Sequence, residues 1–212
     1  MDLLSCRVCS LEYFAPAKAA DASLYSALQK FQWYYEMEKP EYKYAAALIK
    51  QKDRVLEVGC GYGHFARHLP SGVDYRGLDV NKAAVLQASL AGLNVTPQML
   101  DEHSREHAEL YNVVCAFQVL EHLEQPRLFF EQSVKCLAPR GMLIVSLPSM
   151  DSFCADAVNA ALNLPPHHLT RWHDSTLRHV ATLFDLKLQS IWHEPLTSSL
   201  HVEYVRTQFI AN

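Results

Sequence analysis

Between Arg54 and Pro148 short apolar runs alternate with helix-like segments, and the first run breaks into glycines: VLEVGCGYGHF, Val55 to Phe65. The series continues as HFARHL, DYRGLDV, KAAVLQASLA, NVTPQML, YNVVCAF, PRLFFEQSVKCL and GMLIVSLP. Strands that alternate with helices imply parallel βαβ units in an open sheet covered on both faces. Runs such as NVVCAF and MLIVSL, apolar at every position, suit central parallel strands, because both of their faces are buried. The 212 residues, half of them hydrophobic, support one sizeable core.

The flanks read differently. Residues 1 to 21 look irregular, and the segment from Asp21 to Gln51 reads as a helical cap interrupted at Pro40, with Leu24, Leu28, Phe31 and Tyr35 at helical spacing. Trp33 and Tyr34 join Phe31 and Tyr35 as cap packing. The expected division is therefore residues 1–50 for the N-terminal segment and cap, and residues 51–212 for the main domain. After Pro148 comes a proline-punctuated stretch containing NLPPHHLTRWHD, then a helix around Ser175 to Leu183 and two candidate strands, LKLQSIWHE and LHVEYVRTQF.

A strand that ends in a glycine turn and opens a helix is a cradle for a nucleotide-like ligand, since glycine lets the backbone turn sharply and approach closely. A dinucleotide turn reads GxGxxG, the third glycine allowing helix to pack on strand. Here Gly59, Gly61 and Gly63 alternate, and His64 stands where that third glycine belongs. Glu57 precedes the first glycine by two residues and would repel a pyrophosphate, so a ligand with positive charge suits the turn better. Asp79 ends the next strand, where an acid accepts hydrogen bonds from ribose hydroxyls. Asp101 follows the third strand, where a carboxylate can accept an adenine amino group.

These residues, together with YNVVCAFQVLEHLEQP and LAPRGMLIVSLPS, resemble class I S-adenosylmethionine-dependent methyltransferases, and within them the small-molecule branch that includes ubiquinone-pathway O-methyltransferases and natural-product and sugar methyltransferases. The resemblance implies a Rossmann-like α/β fold: a seven-stranded, mostly parallel sheet with an antiparallel last strand, helices on both faces, and the helical cap ahead of it. It implies S-adenosylmethionine as cofactor, with Glu57 and Gly59 near the methionine part, Asp79 on the ribose, Asp101 on the adenine, and Phe117 and Gln118 beside the sulfonium. Cys60, Gly61, Gly63 and Val80 complete the expected cofactor set. The tetrapeptide that marks amino-methylating adenine and glutamine enzymes is replaced by AFQVLEH, which argues against N-methylation of nucleic acid. The expected reaction is methyl transfer to a small-molecule acceptor, at oxygen. The rival from another class is a non-catalytic cofactor-binding or scaffold protein.

A hydroxyl acceptor benefits from a base with a pKa near 7, and a histidine suits that role. His122, beside Glu121 at the expected start of a helix, is one candidate. His167 and His168, behind Pro165 and Pro166, are the others, on a loop expected at the acceptor side. The eleven histidines show no HxxxH spacing, so no catalytic metal is expected. Of six cysteines, only Cys6 and Cys9 form a CxxC knuckle, similar to the second of the two that such methyltransferases often carry. A structural zinc site needs four ligands, so one knuckle in one chain is not expected to retain zinc. A net charge of −4 without Lys/Arg runs disfavours nucleic acid as a partner. No apolar run is long enough to span a bilayer, and no signal-peptide pattern opens the chain, so the expectation is a cytoplasmic protein without a membrane partner.

Overall fold

The N-terminus folds into a hairpin. Asp2–Ser5 (β1) and Glu12–Ala15 (β2) pair antiparallel, Ser5 opposite Glu12, and β2 pairs in turn with Thr170–Arg171 (β8), so the three strands run in the order β1-β2-β8. The expectation of irregular structure over residues 1 to 21 is thus corrected. Four-residue strands on either side of a CxxC turn carry too little alternation to be read from sequence. This computed structural model describes residues 1–16, 18–20, 22–28, 31, 38–152, 155 and 161–195. Trp33, Tyr34, Tyr35 and Cys154 lie outside the described residues.

The cap contributes two short helices, Ala22–Leu28 (α1) and Pro40–Ala46 (α2). Pro40 does not interrupt a helix; it opens α2, where the missing N–H has no helical partner to lose. Next come Arg54–Val58 (β3), Asp74–Leu78 (β4), Lys82–Leu90 (α3), Val95–Thr96 (β5), Leu100–Glu106 (α4), Tyr111–Phe117 (β6), Pro126–Cys136 (α5) and Leu137–Ser146 (β7). The segment HFARHL makes only a 3-10 turn, Phe65–His68.

The strands form a five-stranded sheet in the order β5-β4-β3-β6-β7, parallel throughout. The order reverses between β3 and β6, so the crevice beyond the carboxyl ends of these two strands is the topological switch point, where open α/β sheets bind ligands. Because side chains alternate, Val55, Val113, Cys115 and Phe117 face one side and pack with Tyr42, Ala45, Ala46, Ile49 and Phe65 in a buried cluster. Leu56 and Val114, on the other face, are fully buried as well, as expected for parallel strands covered on both sides.

Chain folding divides into two compact units, residues 20–147 and residues 1–19 with 148–212. The expected boundary at residue 50 does not coincide with this division. α2 belongs with the parallel sheet, whose core it enters, and the N-terminal hairpin belongs with β8 and with Asp174–Leu183 (α6), where Thr176 Oγ1 donates to Cys9 O at 2.8 Å. The first candidate closing strand, LKLQSIWHE, has no strand assignment among the described residues. Its alternation is that of a strand, but no described neighbour supplies a ladder, and Leu188 remains exposed. The second, LHVEYVRTQF, lies outside the described residues, which therefore show five strands of the expected seven. No helix among the described residues is long and apolar enough to cross a membrane.

Candidate active site

The glycine turn is tied to the strand beside it. Gly59 and Cys60 both donate to Leu78 O, at 2.7 and 3.0 Å, and Gly63 donates to Cys60 O at 2.8 Å. Gly59 adopts φ +75°, and a Cβ there would meet Val119 Cγ2 at 2.4 Å, so the turn after β3 lies directly against the turn after β6. Gly63 is equally constrained, at φ +71° with Leu93 Cδ1 2.2 Å from a built Cβ. Glycine is required at both positions by sign of φ and by contact.

Asp79 holds this turn to the next element. One oxygen accepts the Gly61 N–H and the other the Asn81 N–H, each at 2.7 Å. Asn81 then caps α3 by accepting from Ala83 and Ala84. Burial pushes the Asp79 carboxyl up, opposed by the backbone N–H groups of Asn81, Gly61 and Val80. Val80, next in sequence, presents an exposed apolar side chain.

Glu57 sits on β3 opposite Gly77 of β4. Tyr75 lies two residues earlier on β4 and shares a face with Gly77, and the absent side chain at Gly77 leaves room for two groups: a Cβ there would meet Cys60 Sγ and Tyr75 Oη, each at 2.7 Å. Tyr75 O–H donates to Glu57 Oε2 at 2.5 Å. Burial pushes the Glu57 carboxyl up to about 8, with the Asp79 carboxyl adding to the rise and the Tyr75 hydrogen bond and Lys39 opposing it. The expected carboxylate is therefore a buried acid that is largely protonated at neutral pH until a cation stands beside it. Tyr75 was not singled out from sequence; the alternation of DYRGLD, with Tyr75 and Gly77 on one face, was the available signal.

At the end of β6, Phe117 packs edge-on against Tyr42, centroids 5.0 Å apart, and against Phe65 at 4.6 Å. Gln118 has φ 57°, a left-handed conformation uncommon for a residue with a side chain. Its N–H donates to Ser146 O at 2.8 Å, its amide nitrogen donates to Ser146 Oγ at 3.1 Å, and the Ser146 hydroxyl donates to Glu41 Oε1 of α2 at 3.4 Å. Strained backbone held by surrounding bonds is found at ligand clamps. Neither Glu41 nor Ser146 was a candidate, because 105 residues separate them in sequence.

His122 lies in the 3-10 turn Leu120–His122, not at the start of a helix, since α5 begins only at Pro126. Its Nε2 is 3.9 Å from Glu121 Oε1, and its ring meets the edge of Tyr25 with centroids 6.0 Å apart. Burial pushes the fully buried Glu121 up to about 8. Asp101 is in the first turn of α4 and not at a strand end, because β5 stops at Thr96. Its Oδ2 pairs with Arg105 at 2.6 Å, whereas Oδ1 is buried and has no hydrogen-bond partner among the described residues. The residues around the β3/β6 switch point thus gather in the unit formed by residues 20–147.

His167 and His168 belong to the other unit. Nδ1–H of His167 donates to Leu162 O at 2.8 Å, and Nδ1 of His168 bonds Asn163 Oδ1 at 2.9 Å, with the two rings stacked at 4.6 Å. A carbonyl oxygen only accepts, so His167 is the Nδ1–H tautomer, and burial lowers its pKa.

Residues 31–191 match the family described as a methyltransferase domain. Among curated proteins, the chain is 31% identical over 100 residues to a ubiquinone biosynthesis O-methyltransferase of Cronobacter sakazakii, covering 44% of this chain and 41% of that protein. The chain thus spans less than half the length of such relatives. Among solved structures, it is similar to a SAM-dependent methyltransferase from Archaeoglobus fulgidus (TM-score 0.65, 16% identity, 88% of this chain and 92% of that one). A second, from Thermotoga maritima, gives a TM-score of 0.64 at 15% identity, covering 84% and 86%. Likeness at such identities speaks for the fold, and the family match covers most of the chain: it belongs to the methyltransferase-domain family.

Proposed function

We propose that the chain methylates a hydroxyl oxygen of a small-molecule acceptor, with the cofactor at the β3/β6 switch point. S-adenosylmethionine supplies an electrophilic methyl group on a positively charged sulfur. The observation that carries the reading is Glu57: a fully buried acid beside the glycine turn, pushed up by burial, is a site that a cation completes and a pyrophosphate does not. Gly59, Cys60, Gly61 and Gly63 line the turn near the methionine part. Asp79 accepts from the ribose hydroxyls with the lone pairs left by its two backbone bonds, and Val80 offers apolar contact to the nucleoside. The buried, unpartnered Oδ1 of Asp101 matches an adenine amino donor. Phe117 and Gln118 border the sulfonium end, with Gln118 held by Ser146.

Oxygen as the accepting atom is supported by the names of the curated relatives, which are O-methyltransferases. The imidazole of His122 takes the hydroxyl proton. His167 and His168 are the alternative bases that the sequence offers. Neither nucleic acid nor membrane takes part in this reading, which is one of a cytoplasmic enzyme.

Calorimetry with S-adenosylmethionine and with NAD tests the cofactor site; binding of NAD alone overturns it. Asp79→Asn, which keeps one acceptor oxygen, is expected to weaken cofactor binding less than Asp79→Ala, whose loss is about 1–3 kcal/mol. A screen of hydroxyl and amine acceptors with methyl-labelled cofactor tests the reaction. His122→Ala is expected to lower turnover by about 10²- to 10⁴-fold with cofactor affinity intact. Cofactor binding without turnover on any acceptor favours a binding protein.

A further inference from the structure

The hairpin carries a pair of thiols that methyl transfer does not use. Its turn is closed by Cys6 N–H donating to Leu11 O at 2.8 Å and Ser10 N–H donating to Cys6 O at 2.9 Å, with Ser10 at φ 64°. This path curls the backbone around two sulfurs. Cys6 Sγ accepts the N–H groups of Val8 and Cys9, Cys9 Sγ accepts that of Leu11, and a hydrogen bond joins the two thiols. The turn is fastened from behind, where Thr176 Oγ1 and Ser175 Oγ at the start of α6 donate to Cys9 O at 2.8 and 3.4 Å.

Both thiols are free and partly exposed. The CxxC spacing brings two thiolates to one ion, but a structural zinc site takes four ligands. Among the described residues no third His, Cys, Asp or Glu atom joins this pair. The described residues of one chain therefore offer half a tetrahedral shell, which an identical half completes. The surface beside it suits a second copy. Among the described residues β1 is an edge strand, exposed along its length, with Leu3 and Leu4 both more than 40% exposed and Val8 at the turn 77% exposed. An open edge with apolar side chains is a template for pairing, and a two-fold axis brings the same patch of each copy together.

We propose that two copies of this chain share one zinc ion through Cys6 and Cys9 of each, across the β1 edge and the Val8 turn. Four zinc–sulfur bonds form, each thiol still protonated gives its proton to the buffer, and no electrons are transferred. The site is independent of the acceptor reading above.

The test is to load the reduced full chain with Zn²⁺ and to measure mass by light scattering together with metal content. The expected result is a doubled mass carrying one zinc per two chains, reversed by a chelator, and a Co²⁺ derivative with the visible absorption of a tetrahedral four-thiolate site. The Cys6→Ser/Cys9→Ser variant is expected to stay monomeric and metal-free while still binding S-adenosylmethionine, which shows that it is folded. Val8→Lys, with both thiols kept, is expected to weaken zinc-dependent dimerisation at least about tenfold. One zinc per monomer, no retained zinc, or a Cys6–Cys9 disulfide that persists in reductant overturns the proposal.

Discussion

The two units solve the problem of acidic side chains in opposite ways. In the unit of residues 20–147, Glu57 and Glu121 are taken fully out of water, and burial pushes both carboxyls up to about 8. In the other, Asp151 stays near the surface, where the Asp174 N–H and the His173 imidazole both donate to it and hold it below the usual range. One unit keeps uncharged acids in an apolar interior, and the other uses charged acids as staples between short elements. The difference follows from core size. A parallel sheet covered on both faces has an interior in which to desolvate a group, whereas a three-stranded sheet of two- and four-residue strands has little.

The contrast is sharpest for apolar truncation. Leu56→Ala, in a fully buried strand, is expected to cost about 2–5 kcal/mol of unfolding free energy. Leu3→Ala on the exposed β1 strand is expected to stay within about 0.5 kcal/mol, and equal costs in urea denaturation would break the comparison. Gly59→Ala comes next: a left-handed backbone and a Cβ 2.4 Å from Val119 together give about 2–4 kcal/mol, with cofactor binding lost in parallel. Tyr75→Phe leaves Glu57 without its hydroxyl donor and is expected to cost about 1–3 kcal/mol.

The same two acids set a pH dependence. Their folded-state values are raised, so the folded chain holds these protons more tightly than the unfolded chain. That stabilisation is complete below the usual carboxylic range, roughly pH 4. It is lost as the pH rises through about 8. Glu57→Gln is expected to flatten this loss in melts taken from pH 5 to 9, and an unchanged slope would place the titration elsewhere. Asp151 has the opposite sign, its contribution being present at neutral pH and lost only in acid. The smallest of these effects is expected from Asp151→Asn, about 1 kcal/mol, as one bond to the α6 N-terminus weakens.

Sequence legibility follows the same division. The strands of the parallel sheet could be read because burial on both faces demands unbroken apolar runs, as in YNVVCAF, and the glycine turn because positive φ restricts residue choice. The hairpin could not, since its strands are mostly exposed and are held by bonds to Leu169 and Arg171, about 150 residues away in sequence. Within the site, Asp79 was evident from its spacing after Gly59. The Gln118–Ser146–Glu41 relay was not, because it joins the ends of two strands to a helix of the cap. Asp101 was expected at the end of a strand and lies in the first turn of α4, since a two-residue β5 ends early and α4 begins in its place.

The distribution of thiols gives the chain a built-in labelling pattern. Cys60, Cys115 and Cys136 are buried, and burial pushes each thiol up, so an alkylating reagent under native conditions reaches the partly exposed Cys6 and Cys9 ahead of them. Among the described residues, two populations of cysteine then act as separate clocks in a pulse-alkylation experiment read by mass spectrometry. The hairpin pair reports on the turn and anything bound there, while Cys60, at the centre of the glycine turn, becomes alkylated only when that turn opens.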